Sequence, residues 1–275
     1  MEIKEIITDA FEFPYLSLGT FSIYTVLSVL AGSFAFTGLI SSILGYNNPA
    51  NLVMGILSVI LSVLIGFILS GYSISVIKSG IKGDNVVPEF DWKENFYTGI
   101  NNFIVTFVYI LIPTVIVVIV GYLTNVHGTF MAVIQEIVSQ FTSVYTGSST
   151  VIAVDAISAA LAKLPDSLVV PVIVALILFV VFLFLQTMAQ SRLANTGDLM
   201  EALNIVEAAR DISRIGVGKV VLLVISVILI VVLIEIIVSF IFSILPFLSI
   251  LSIIISPYLL FFTQRAIGLL YSDIS

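Results

Sequence analysis

The sequence predicts an all-α fold: a polytopic integral membrane helical bundle of about six transmembrane helices, accompanied by interfacial amphipathic helices. Three observations lead there. Hydrophobic residues fill 60% of the 275 positions and charged residues only 10%, far from the balance of a soluble domain. Apolar stretches run past about 18 residues almost without charge, the length that a hydrocarbon layer of about 30 Å demands. Finally, nine of the ten basic residues fall on one side of the topology that those stretches dictate.

Taken in order, residues 2–13 place Ile3, Ile6, Ile7, Ala10 and Phe11 on one helical face with acids opposite, an amphipathic helix. This acidic start, followed by a long apolar run, does not read as a cleaved signal, so Leu16 opens a retained span. Spans are predicted over 16–44, 52–77, 103–124, 168–190, 218–241 and 246–267. Gly45, Tyr46, Asn47, Asn48 and Pro49 make the first turn, and Pro246 divides an apolar run, Val220 to Phe262, that is too long for one span. Between the third and fourth spans, Phe130, Ile134, Ile137, Phe141 and Val144, then Val154, Ile157, Leu161 and Leu164, mark two further amphipathic helices hinged at 147–150.

With the amino terminus inside, Lys4, Lys78, Lys82, Lys93, Arg192, Arg210, Arg214, Lys219 and Arg265 are cytoplasmic and only Lys163 is outside. The expectation is a multi-pass protein of the cell membrane with amino and carboxyl termini in the cytoplasm. The whole of 1–275 forms a single membrane domain, with expected repeats at 1–82, 83–196 and 197–275. Each repeat is an amphipathic helix, a span out and a span back. Lys78, Gly83 and Asp84 are matched by Arg192, Gly197 and Asp198 at the same offsets. Downstream, Asp91 with Glu94 and Asp198 with Glu201 have the spacing of a capping box. Apolar residues then recur at helical spacing, Trp92, Phe96, Ile100 and Phe103 in one loop, Leu199, Leu203 and Val206 in the other.

The stretch Gly71, Tyr72, Lys78, Gly83, then Val87, Pro88, Glu89, Phe90, Asp91, Trp92, Phe96 and Gly99 resembles the hallmark loop of the domain-of-unknown-function 4013 family. The segment Arg192 to Glu201 is similar to that family's later polar segment. The resemblance implies a multi-pass membrane protein of about six helices in an archaeal or bacterial cell membrane, and implies no reaction. This chain has one Asp before Trp92 where the family pattern carries two.

Several chemistries are excluded. A net charge of -7 without a basic stripe does not suit nucleic acid. No cysteine is present, which removes thiol chemistry, and His127 stands as the one histidine, so no metal site is expected. Walker, dinucleotide-binding and G-x-S-x-G patterns are absent, so no cofactor, no catalytic residue and no enzyme activity are expected. Asp84, Glu89, Asp91 and Glu94 crowd one loop in an order unlike a calcium loop, which points to capping and solvation.

Two features remain. Glu235 is the ionisable residue well inside an apolar span, about 24 Å along its helix from Lys219, and is the candidate intramembrane functional group. Ser58, Ser62, Gly66 and Ser70 repeat every fourth position, a stripe for close helix packing. Breaks at Pro113 and Pro171, with the repeat, favour a transport or permeation role without its own nucleotide-driven engine. The alternative is a membrane-organising or partner-binding scaffold using amphipathic helices. Membrane lipid is the expected partner, and a membrane or cytoplasmic protein partner or an oligomer is compatible with the sequence.

Overall fold

Helix follows helix throughout the computed structural model, which describes residues 1–44, 48–145, 158, 162 and 164–275. Among these residues there is no strand, and six helices are long and apolar enough to cross a membrane. Between 6% and 22% of each apolar window is buried within the chain, so most of this surface has no protein cover among the described residues and suits lipid.

The order is α1 (Ile3–Glu12), a 3-10 turn (Phe13–Leu16), α2 (Leu18–Leu44), α3 (Pro49–Lys82), α4 (Trp92–Leu123), α5 (Val126–Tyr145) and α6 (Leu164–Thr196). There follow a single turn α7 (Leu199–Ala202), α8 (Ile205–Ile215), α9 (Val217–Ile244), a 3-10 segment (Pro246–Leu251) and α10 (Ser252–Tyr271). Local chemistry sets many of the boundaries. Asn48 Oδ1 accepts from Ala50 N at 3.1 Å with Pro49 at the first position. Gly83 (φ 66°) and Gly197 (φ 71°) follow the last turns of α3 and α6 in the left-handed region that favours glycine. The matched glycines therefore share one role.

The molecule divides into two units. The first comprises Met1–Phe107 and Phe184–Ser275. Its core joins α2, α3 and α10 through Tyr24, Leu69, Tyr72, Val76 and Phe261, with Phe13 and Val87 added from the connecting segments. The Tyr24 and Phe261 rings meet edge to face at 5.2 Å, and Tyr72 stacks on Phe90 at 4.9 Å. The second unit is Val108–Leu183, where Tyr109 and Phe182 pack at 6.3 Å and Val133 of α5 is buried.

Three expectations change in detail. Residues 92–103 do not form a separate interfacial helix: Asp91 Oδ1 accepts from Glu94 N at 2.9 Å, and the helix that starts there runs unbroken into the span. In the second loop the pattern breaks at Leu203, and the strongly amphipathic helix is α8, capped by Asn204 Oδ1 from Glu207 N at 3.2 Å. Lastly, α1 is no free surface helix, since Ile6 and Ala10 are fully buried and Tyr258 Oη donates to Phe11 O at 2.8 Å. The helix predicted over 154–164 and its hinge at 147–150 lie almost wholly outside the described residues, as do Lys163 and three residues of the first turn, 45–47.

Candidate functional site

Polar chemistry in the first unit gathers where α3, α6 and α10 finish and α4 and α9 begin. We call this the basic end, since nine of the ten basic residues belong to this unit. Two buried arginines organise it. Arg192, 8% exposed, donates from Nη1 to Asp211 Oδ2 at 2.7 Å and from Nε to Glu201 O at 3.2 Å, and pairs with the Glu201 carboxylate. Asp211 is 1% exposed and also accepts from Arg214 Nη1 at 3.0 Å and Tyr271 Oη at 2.9 Å. α6, α8 and α10 are thereby joined by one carboxylate. Burying such a charge is tolerable only with this density of donors.

Arg265, 1% exposed, is the second centre. Its Nε donates to Asp9 Oδ1 at 2.7 Å, its Nη1 to Asp84 O at 2.8 Å and Ser79 Oγ at 3.2 Å, and its guanidinium lies 4.6 Å from the Phe13 ring centroid. α1, the end of α3 and α10 meet there. The spacing of residues gave no notice of Asp9 or Asp211, because their partners lie 256 and 19 positions away.

The predicted loop residues take distinct places. Lys78, Asp84, Pro88, Asp91 and Glu94 line one cavity of about 410 Å³ between α3 and the segment after it. The segment is held along the helix: Ser79 Oγ donates to Asp84 O (3.3 Å) or Val86 O (3.2 Å), and Tyr72 Oη donates to Pro88 O at 3.0 Å. Lys78 Nζ lies 4.0 Å from Glu94 Oε1. Both line a second, smaller cavity of about 60 Å³ with Gly197, so the two matched loops adjoin. Asp198 caps α7 through Met200 N at 2.8 Å, while Glu201 turns to Arg192 instead of completing a capping box. Trp92 is 54% exposed with its ring 4.9 Å from Phe90.

A polar seam leads from this end into the apolar part of the unit. Ser75 Oγ donates to Asn95 Oδ1 at 3.2 Å, Asn102 Nδ2 to Ser70 Oγ at 2.9 Å, Gln190 Nε2 to Asn102 Oδ1 at 3.1 Å, and Gln186 Nε2 to Thr106 Oγ1 at 3.4 Å. Gln186 and Gln190, near the end of α6, are set inside a helix interface, against α4. The recurrence of Asn95 and Asn102 seven residues apart on one helical face was the available signal.

The small-residue stripe divides. Ser58 is buried, Ser62 Oγ donates to Ala31 O of α2 at 2.9 Å, and Ser70 joins the seam, but Gly66 faces open space. The tight helix contacts rest on other glycines. A Cβ on Gly71 would overlap Asn95 O, one on Gly99 would overlap Phe67 O, and one on Gly80 would come within 2.9 Å of Gly268 Cα. Glu235 is exposed on α9, and Ser243 Oγ, two turns further along the same helix, donates to Phe240 O at 2.7 Å. His127 is exposed. Among the described residues no group of three histidine, aspartate or glutamate side chains is arranged to hold a metal.

Residues 53–246 match the sequence profile of a family described as protein of unknown function, DUF4013. The chain belongs to the DUF4013 family. The match covers more than half the sequence and contains both matched loops, the cavity and the seam. Asp9 and Arg265 lie beyond it. No curated protein and no solved structure matches the chain.

Proposed function

We propose that this membrane-embedded protein of the DUF4013 family carries a small polar solute across the cell membrane, with the basic end and both termini in the cytoplasm. One observation carries the reading: the hydrogen-bonded seam that leaves the basic end and rises between α3, α4 and α6. From Asn95 to Thr106 it covers eleven positions, roughly 16 Å of helix. Hydroxyls and amides at such depth are costly in hydrocarbon, and they belong in a bundle interior or beside water. Their donors and acceptors are interchangeable with those of a hydrated solute. The positive-inside rule supports a cytoplasmic mouth, since basic residues gather there. No reaction is proposed.

A cysteine-free chain makes the test direct. Single cysteines at Ser75, Ser70, Asn102 and Thr106 are exposed to a membrane-impermeant thiol reagent from the basic side. Labelling at all four, slowing with depth, is the expected result. Labelling at Ser75 alone would mean that the seam is packed solid, and permeation would then be wrong. A scaffold is the second reading, favoured by Trp92, Tyr97, Met200 and Val206, which are 54%, 60%, 74% and 61% exposed. Photo-cross-linking from Val206 in native membranes tests it, with a recurrent protein partner expected and lipid alone counting against it.

A further inference from the structure

The cargo is set by what the seam lacks. Every side chain bonded along it is a hydroxyl or a carboxamide, and none carries charge. An ion drawn in from water would exchange its hydration shell for neutral dipoles, at a steep desolvation cost. Ion filters avoid that cost with rings of backbone carbonyls on unwound segments. Here α3, α4 and α6 stay helical beside the seam, so their carbonyls are already engaged along each helix.

The mouth is balanced as well. A cavity of about 60 Å³ sits where the seam begins, and Ser75 belongs to both. Lys78 and Glu94 line it with Nζ and Oε1 4.0 Å apart, a pair that favours neither anion nor cation. A zwitterion would match this pair but meet no charge beyond it. The Thr98 hydroxyl and the Asn101 amide line the same cavity, and neither side chain bonds to a described residue. Their donors and acceptors are therefore open to a guest. Size follows from the same walls. The cavity holds about four water molecules. Farther in, α3 and α4 touch at the backbone, since a Cβ on Gly71 would overlap Asn95 O.

We propose that the solute is uncharged and of the size and chemistry of urea, a small amide that both donates and accepts hydrogen bonds. Its groups bond to Thr98 and Asn101 at the mouth, then exchange partners with Asn102 and Gln190 along the seam. This cargo presupposes the permeation proposed above and narrows it to one chemical class.

Urea and the guanidinium ion share size and shape and differ in charge, so the two together separate charge from size. The full-length protein is reconstituted into phosphatidylcholine vesicles, with potassium and valinomycin collapsing the membrane potential. Uptake of radiolabelled urea, guanidinium and glycine is then timed. The expected result is urea uptake faster than in protein-free vesicles, with guanidinium and glycine unchanged. Asn101→Leu and Thr98→Val should each slow urea about fivefold, through the loss of one hydrogen bond at the mouth. Neither side chain has a partner to lose among the described residues, so both variants keep the fold. Guanidinium or glycine entering as fast as urea would overturn the uncharged class and leave permeation standing. Urea entering only at the protein-free rate would overturn this cargo, even where cysteines along the seam are labelled. Uptake by both variants that matches the parent would overturn the mouth.

Discussion

Asp211 accepts from arginines on two helices and from a tyrosine on a third, and it does so almost without water. Removing a partner from a buried pair of this kind leaves an uncompensated charge, which costs about 3–5 kcal/mol. Asp211→Ala is therefore expected to lower stability by about that amount, leaving Arg192 only Glu201, whose side chain is 51% exposed, as an acidic partner. Thermal unfolding in detergent checks it. Glu207, which pairs with the exposed Arg210 and Arg214, provides the contrast. Glu207→Gln should change stability by no more than about 1 kcal/mol, since ion pairs open to water are weak. Equal losses in the two variants would mean that burial does not govern the network.

Among the elements, α3 does most of the joining, and it does so through glycines. Gly71 and Gly99 let α3 and α4 touch at the backbone, and Gly80 does the same for α3 and α10 against Gly268. Gly99→Ala is expected to destabilise by about 1–3 kcal/mol, because the methyl group has no space beside Phe67 O. Gly66→Ala, which meets nothing within 4 Å, should be neutral or add up to about 1 kcal/mol from helix propensity. Paired melting curves decide between them. The spans themselves were legible in the sequence, because about 20 apolar residues in a row leave little choice of structure. So was the matched spacing of Gly83 and Gly197, to which the structure adds that both lie in the left-handed region. The pairing of glycines was not, since a four-residue rhythm marks Gly66 as readily as Gly71, and only the neighbouring helix distinguishes them. Gln190 and Asn102 were hidden for the same reason, as hydrogen bonds between spans depend on which spans adjoin.

At the scale of the molecule, the first unit is closed by its ends. Asp9 of α1 holds Arg265 of α10, the amino group of Met1 lies 3.4 Å from Asp273 Oδ1, and Lys219 pairs with the same carboxylate. None of these residues falls within the 53–246 family match, apart from Lys219. Asp9→Asn is expected to loosen α1 without unfolding the spans. Hydrogen exchange should then rise at residues 3–12 while α3 and α9 keep their protection. A uniform rise across the unit would show that α1 is part of one cooperative whole.

The Arg265 contact also has a meaning in time. Its two partners are separated by 256 residues, which a ribosome working at about 5–20 residues per second traverses in roughly 10–50 s. Through that interval α1 has emerged with its apolar face uncovered, and the side chain that will hold it has not been made. α10 is thus the helix that lets α1 settle, and assembly of this unit waits until α10 has been made.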